Sequence, residues 1–121
     1  MTNPNFILAY VDNAPKSAEL YGHLLGQKPV ESSPGFAMFV LPNGVKLGLW
    51  ARNEVEPAAN APGGIELGFE VKDDAALHAT LADWTALGLK VLQMPTRMDF
   101  GLTFTVADPD GHRLRVFAYP A

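Results

Sequence analysis

LAYVDNAPKSAELYGHLLG at residues 8–26 and LGFEVKDDAALHATLADWTALG at residues 67–88 can be laid one over the other. Each opens on an apolar strand-like run, passes a polar cap, continues as an amphipathic helix and stops at a glycine. In the first, Ala14-Pro15 opens the helix, with Asp12 or Asn13 as the cap. Ala18, Tyr21, Leu24 and Leu25 recur at the helical period, and Gly26 supplies a left-handed stop. In the second, Asp73 or Asp74 caps a helix whose Leu77, Leu81 and Trp84 share one face, and Gly88 ends it. That spacing makes Trp84 a core residue.

Strands extend the match on both sides. Asn5–Val11 leads the first copy, and short strands are expected after its helix at about Lys28–Glu31, Phe36–Leu41 and Val45–Trp50. Pro42-Asn43-Gly44 turns the last two into a hairpin. Ile65–Val71 leads the second copy, followed by Lys90–Met94, Leu102–Ala107 and Arg113–Ala118. The order β-α-β-β-β therefore occurs twice, roughly 60 residues apart, in an α+β chain. Residues 52–64, RNEVEPAANAPGG, lack periodicity and read as a linker. The expected organisation is one domain, 1–121, with module one at 1–51 and module two at 65–121. DPDGHRLRVF, residues 108–117, is a tight turn feeding a strand. Pro109 presets φ, Asp110 can bond the local backbone, and Gly111 accepts positive φ. Beyond it Leu114 and Val116 point one way, and Arg113, Arg115 and Phe117 the other.

The composition, 48% hydrophobic and 18% charged over 121 residues, is that of a globular chain. A net charge of −4 and a pI of about 5.2, with no Lys/Arg run, argue against a nucleic-acid partner. No apolar stretch approaches the ~18 residues of a membrane span. The start, MTNPNFILAYVDNAPK, lacks a basic region before a long apolar core, so no secretory signal is expected. With no cysteine, disulfides, thiolate metal sites and cysteine nucleophiles are excluded. A cytoplasmic location is the expectation.

ILAYVDNAPKSAELYGHLLG at the start, LGFEVKDDAALHATL at mid-chain and DPDGHRLRVF at the end resemble the vicinal-oxygen-chelate superfamily, also called the glyoxalase/bleomycin-resistance/dioxygenase fold. The resemblance implies two βαβββ modules forming a half-open barrel around a shared cleft. It also implies a homodimer, in which the linker can exchange halves between subunits. Enzymes of the family hold a divalent metal in the barrel. Carried over residue by residue, their ligand positions fall on Asn5, at or near Gly48, on Glu66 and on Arg115. Of these only Glu66 is a good ligand. Asn5 offers a neutral carbonyl oxygen, and Arg115 is a permanent cation with no lone pair to give. The expected cleft holds no metal and no other cofactor.

If Gly48 faces that cleft, parity brings Lys46 and Trp50 with it; if Glu66 does, so do Gly68 and Glu70. Asn5 brings Ile7 and Ala9, and Arg115 brings Arg113 and Phe117. Gly48 and Gly68 leave room for a ligand, Trp50 offers a stacking surface, and Arg115 pairs an acidic group while Glu66 accepts a hydrogen bond. Met38, Met94 and Met98 are adaptable apolar liners where they point in. The expected ligand contacts are thus Trp50, Arg115, Glu66, Gly48, Asn5, Phe117, Met38 and Met98. Within the family the pattern is most similar to the phenazine-antibiotic resistance type, whose members bind a planar tricyclic compound in the dimer cleft. Trp50, His112 and Arg115 carry that likeness. It implies a protein that sequesters a planar aromatic compound without chemistry, and no nucleophile–base set argues otherwise. Structural roles stand beside these: Trp50 as cover for a sheet edge or dimer seam, Arg115 and Glu66 as an ion pair, His112 as a local polar group, and His23 and His78 as surface residues. The alternative function is a metal-dependent lyase, isomerase or dioxygenase of the same fold. A metal-free enzyme with Glu66 as general base ranks third.

Overall fold

Phe6–Val11 forms strand β1, and the chain leaves it through Asn13, whose side-chain oxygen accepts the Lys16 backbone N–H at 3.0 Å. That bond selects Asn13 over Asp12 as the cap of helix α1, Ala14–Leu25. Gly26 ends the helix at φ 65°, in the left-handed region. Strands β2 (Glu31–Ser33), β3 (Phe36–Val40) and β4 (Lys46–Ala51) follow. β2 begins later than Lys28 because pairing with β3 starts at Val30, whose N–H donates to the Met38 carbonyl, and Pro29 before it has no N–H to give.

The coordinates are a computed structural model and describe residues 5–56, 58 and 64–120. Of the expected linker, residues 57 and 59–63 lie outside the described residues. Its start, Arg52–Glu54, is a single 3₁₀ turn in which Arg52 pairs with Asp12. The chain divides into two compact units, Met1–Gly63 and Gly64–Ala121.

In the first unit the sheet order is β1-β4-β3-β2, with β1 parallel to β4 and the other pairs antiparallel. One face is packed by Ala9, Val11, Ala37, Phe39, Leu47 and Leu49 beneath Ala14, Ala18 and Tyr21 of α1. Tyr21, Phe39 and Leu49 are fully buried; an apolar side chain buried this way contributes about 1.5–3 kcal/mol.

The second unit repeats the order with strand β5 (Glu66–Glu70), helix α2 (Asp74–Ala86) and strands β6 (Lys90–Met98), β7 (Gly101–Ala107) and β8 (Arg113–Ala118). Its sheet order is β5-β8-β7-β6, with β5 parallel to β8. Asp73 is the cap of α2, accepting the Ala76 N–H at 2.8 Å. Leu77 and Trp84 are buried, and the indole meets Phe69 and Phe104 edge-on at centroid distances of 5.1 and 5.9 Å. β6 continues past Met94 to Met98. Pro95 is tolerated because β6 is an edge strand whose ladder to β7 shifts register on both sides of Gln93.

The turn before β8 is organised around Asp108. The Asp108 Oδ1 accepts the backbone N–H groups of Asp110 and His112 at 2.9 and 2.8 Å, and the carboxylate is buried. Gly111 takes φ 86° as expected. The chain is thus an α+β protein of two four-stranded mixed sheets, each open and carrying one helix.

Candidate functional site

The face of the first sheet turned away from α1 follows from register. Residues directly opposite in a ladder share a face. Phe6, Leu8 and Tyr10 lie opposite Lys46, Gly48 and Trp50. Phe36 and Met38 lie opposite Trp50 and Gly48. Trp50, Gly48 and Met38, expected to act together, are therefore on one face. Phe6, Leu8, Phe36 and Trp50 line a shallow cavity of about 360 Å³. The Phe36 ring stands edge-on to the indole at 6.3 Å, and the Lys46 ammonium lies 5.9 Å from the Phe6 ring centroid.

Two expectations are corrected here. Asn5 precedes Phe6, so alternation puts it with Ile7 and Ala9 on the α1 side, away from Trp50. The parity of β1 is set by its pairing with β4; FILAYV is apolar at every position and carries no mark of its own. Gly48 does not leave space for a ligand. A Cβ there would fall 2.6 Å from Leu8 Cδ2, 3.0 Å from Phe6 Cε1 and 3.1 Å from Phe36 Cε1. The volume that glycine vacates is filled by the cavity's own lining. Phe6, Leu8 and Phe36 were missed for the same reason as Asn5 was misplaced.

On the second sheet, Arg115 lies opposite Gly68 of β5 and Thr105 of β7, and Phe117 opposite Glu70 and Thr103. The Arg115 Nε–H donates to Glu66 Oε2 at 3.2 Å. Its Nη1 donates to Gln93 Oε1 at 3.2 Å and to Thr103 Oγ1 at 3.3 Å. Thr105 Oγ1 donates to the same Gln93 oxygen at 3.2 Å, and Thr103 Oγ1 donates to the Val116 carbonyl at 2.8 Å. Arg115 and Glu66 thus form an ion pair, not across the pseudo-twofold between the modules but within the second unit, with side chains 21% and 44% exposed. A pair this accessible to water is worth about 0–1 kcal/mol. Phe117 shares their face, its ring edge-on to Phe100 and Tyr119 at 6.1 and 5.3 Å. Met98 and Met94 are exposed. Gln93 is the polar residue that sequence reading missed. The register shifts around it break the alternation of β6, so no periodicity pointed to its face.

His112 is buried, its N–H given to Asp108 and its carbonyl accepting the Asp108 N–H at 2.9 Å, while His23 and His78 are exposed. The four positions of a family metal site do not suit a divalent ion. Gly48 has no donor atom and is covered by hydrocarbon. Asn5 is on the other side of β1, and the Glu66 carboxylate is engaged by the Arg115 cation. No group of three His, Cys, Asp or Glu able to hold a metal is found among the described residues. Nor is any described helix long and apolar enough to cross a membrane.

Comparison with known proteins adds to this geometry. The model of the Glyoxalase/Bleomycin resistance protein/Dioxygenase superfamily matches residues 3–116. The chain is 30% identical over 116 residues to the phenazine antibiotic resistance protein EhpR of Enterobacter agglomerans, covering 93% of this chain and 89% of that protein. It is 56% identical to protein ATC0852 from Agrobacterium tumefaciens, whose solution structure superposes with a TM-score of 0.91 over 100% of both chains. A glyoxalase-related enzyme from Fulvimarina pelagi is 25% identical, with a TM-score of 0.86 over 99% of this chain and 90% of that one.

Proposed function

Because the chain belongs to the glyoxalase/bleomycin resistance protein/dioxygenase superfamily, we propose that it is a metal-independent binding protein that sequesters a planar aromatic, phenazine-type antibiotic and so confers resistance. The observation that carries the reading is the aromatic cavity around Trp50 on the first sheet. Flat hydrocarbon surfaces at edge-on angles suit capture of a ring system, and the four lining side chains carry no acid, base or nucleophile, with the Lys46 ammonium at their edge over the Phe6 ring. Trp50, Phe36, Phe6, Leu8 and Met38 are the contacts assigned on this sheet. The likeness to a phenazine resistance protein supports the ligand class. In this reading the protein acts in the cytoplasm as a homodimer, and its partner is the small molecule.

Titration of the purified protein with a panel of phenazines, read by tryptophan fluorescence and by calorimetry, tests the proposal. Saturable one-to-one quenching is expected. Trp50→Ala should weaken binding roughly tenfold or more while leaving the melting temperature nearly unchanged, as the indole is only half-buried. Absence of any heat or quenching across the panel would discard the reading. Turnover of a member of the panel, together with stoichiometric divalent metal, would favour a lyase, isomerase or dioxygenase.

A further inference from the structure

We infer that Lys46 is the specificity-determining residue of the aromatic cavity: its ammonium pairs with an anionic substituent, a carboxylate or a phenolate, at one end of a planar ligand. The inference deepens the reading above and rests on it for the ring system. It uses the first sheet alone, and its own ground is where the strand register puts one cation.

β4 is an inner strand of that sheet, so Lys46 has a neighbour on each side. Directly opposite it stand Phe6 of β1 and Val40 of β3. Two residues along, on the same face, come Leu8, Gly48 and Met38. None of the five carries a charge. Opposite charges facing each other across a ladder stabilise a sheet, and Lys46 has no such partner among these neighbours. By register the first carboxylate on this face is Glu31 of β2, opposite Met38 and separated from β4 by the whole of β3. The ammonium lies instead 5.9 Å from the Phe6 ring centroid. A ring face attracts the charge but takes no conventional hydrogen bond, and the three Nζ donors have no acceptor among the described residues. Other cations are already balanced: Arg52 pairs with Asp12, Arg97 with Asp74 and Arg115 with Glu66. Arg115, expected from the sequence to take an acidic ligand group, thus has a carboxylate of its own, and Lys46 does not.

The cation also stands at a useful distance from the stacking surface. Lys46 and Trp50 are four residues apart on β4, so their Cα atoms are separated by about 13 Å. Phe6, Leu8 and Phe36 carry the floor between them, their outer atoms closing over Gly48. A linear three-ring system laid along that floor from the indole brings a substituent on its far ring to the ammonium. There the ammonium gains an opposite charge and a hydrogen-bond acceptor in exchange for a ring face. The hydrocarbon beneath the pair keeps water from its inner side, which strengthens the attraction. A carboxamide of the same shape meets the same floor and forms no ion pair.

The test is titration of the intact protein, by tryptophan quenching and calorimetry, with phenazine, phenazine-2-carboxamide and phenazine-2-carboxylate. At low ionic strength the carboxylate should bind wild type about fivefold tighter than the carboxamide. Salt at about 0.5 M should shrink that preference to under roughly twofold. Lys46→Gln keeps a hydrogen-bond donor and removes the charge. It should bring the carboxylate down to the carboxamide and change the carboxamide by under roughly twofold, whereas Lys46→Arg and Arg115→Gln should both retain the preference. A carboxylate that binds wild type no better than the carboxamide overturns the inference and leaves the sequestration reading standing. So does a preference that survives in Lys46→Gln or disappears in Arg115→Gln. If no probe binds, both fall. Lys46→Met serves the same comparison should Lys46→Gln not fold.

Discussion

Gly48 makes the clearest residue-scale case, because its neighbours fix the outcome of a single methyl group. Three side-chain atoms lie within 3.1 Å of where its Cβ would stand, and they belong to three of the four residues lining the cavity. Gly48→Ala should change stability in urea by less than about 1 kcal/mol, since the atoms it meets are the outer ends of side chains that are partly exposed and can turn away. It should displace the Phe6, Leu8 and Phe36 side chains and weaken ligand binding. Unaltered affinity in the alanine variant would mean that these side chains do not shape the ligand's contacts. The identity of Gly48 as a special position was legible in the sequence; its role was not. A missing side chain looks the same on paper whether a guest or a neighbour fills the gap. Arg115 and Glu66 were legible as possible partners because both fall on positions that the family resemblance turns toward one cleft; that they belong to adjacent strands of one sheet was not. Gln93 was not, since a lone amide on an irregular strand gives no signal until its two donors are seen.

At the scale of elements, the helices were read almost to the residue. Both depend on local chemistry: an Asn or Asp cap, an apolar stripe and a glycine just beyond the last turn. Strand ends were read less well where pairing sets them. β2 starts late because Pro29 cannot donate, and β6 runs on because an edge position forgives Pro95. The turn leading into β8 shows how one residue can govern an element. Asp108 holds two backbone N–H groups with one carboxylate oxygen, out of contact with water. Asp108→Ala would leave both donors unanswered and should destabilise the protein by about 1–3 kcal/mol in chemical denaturation. Asp108→Asn, which keeps a side-chain oxygen for the two N–H groups, should cost less. Equal losses in the two variants would mean that the charge and not the hydrogen bonds holds the turn.

For the whole molecule, the repeated βαβββ order was legible because each copy is complete in itself, helix signals and all. The pairing of the first strand with the last was not, because parallel partners are far apart in sequence and share no turn. The donor set also speaks at this scale. Extended dialysis against a chelator should leave both the melting temperature and phenazine affinity unchanged, and elemental analysis should find well under one divalent ion per chain. A melting point that falls on chelation and recovers with zinc or manganese would refute metal independence. The parallel closure of each sheet bears on how the chain is made. Phe6 meets Lys46, and Glu66 meets Arg113, so each leading strand must wait for its last neighbour to leave the ribosome. During that interval FILAYV is an uncovered hydrophobic edge, open to chaperones or to a sister nascent chain.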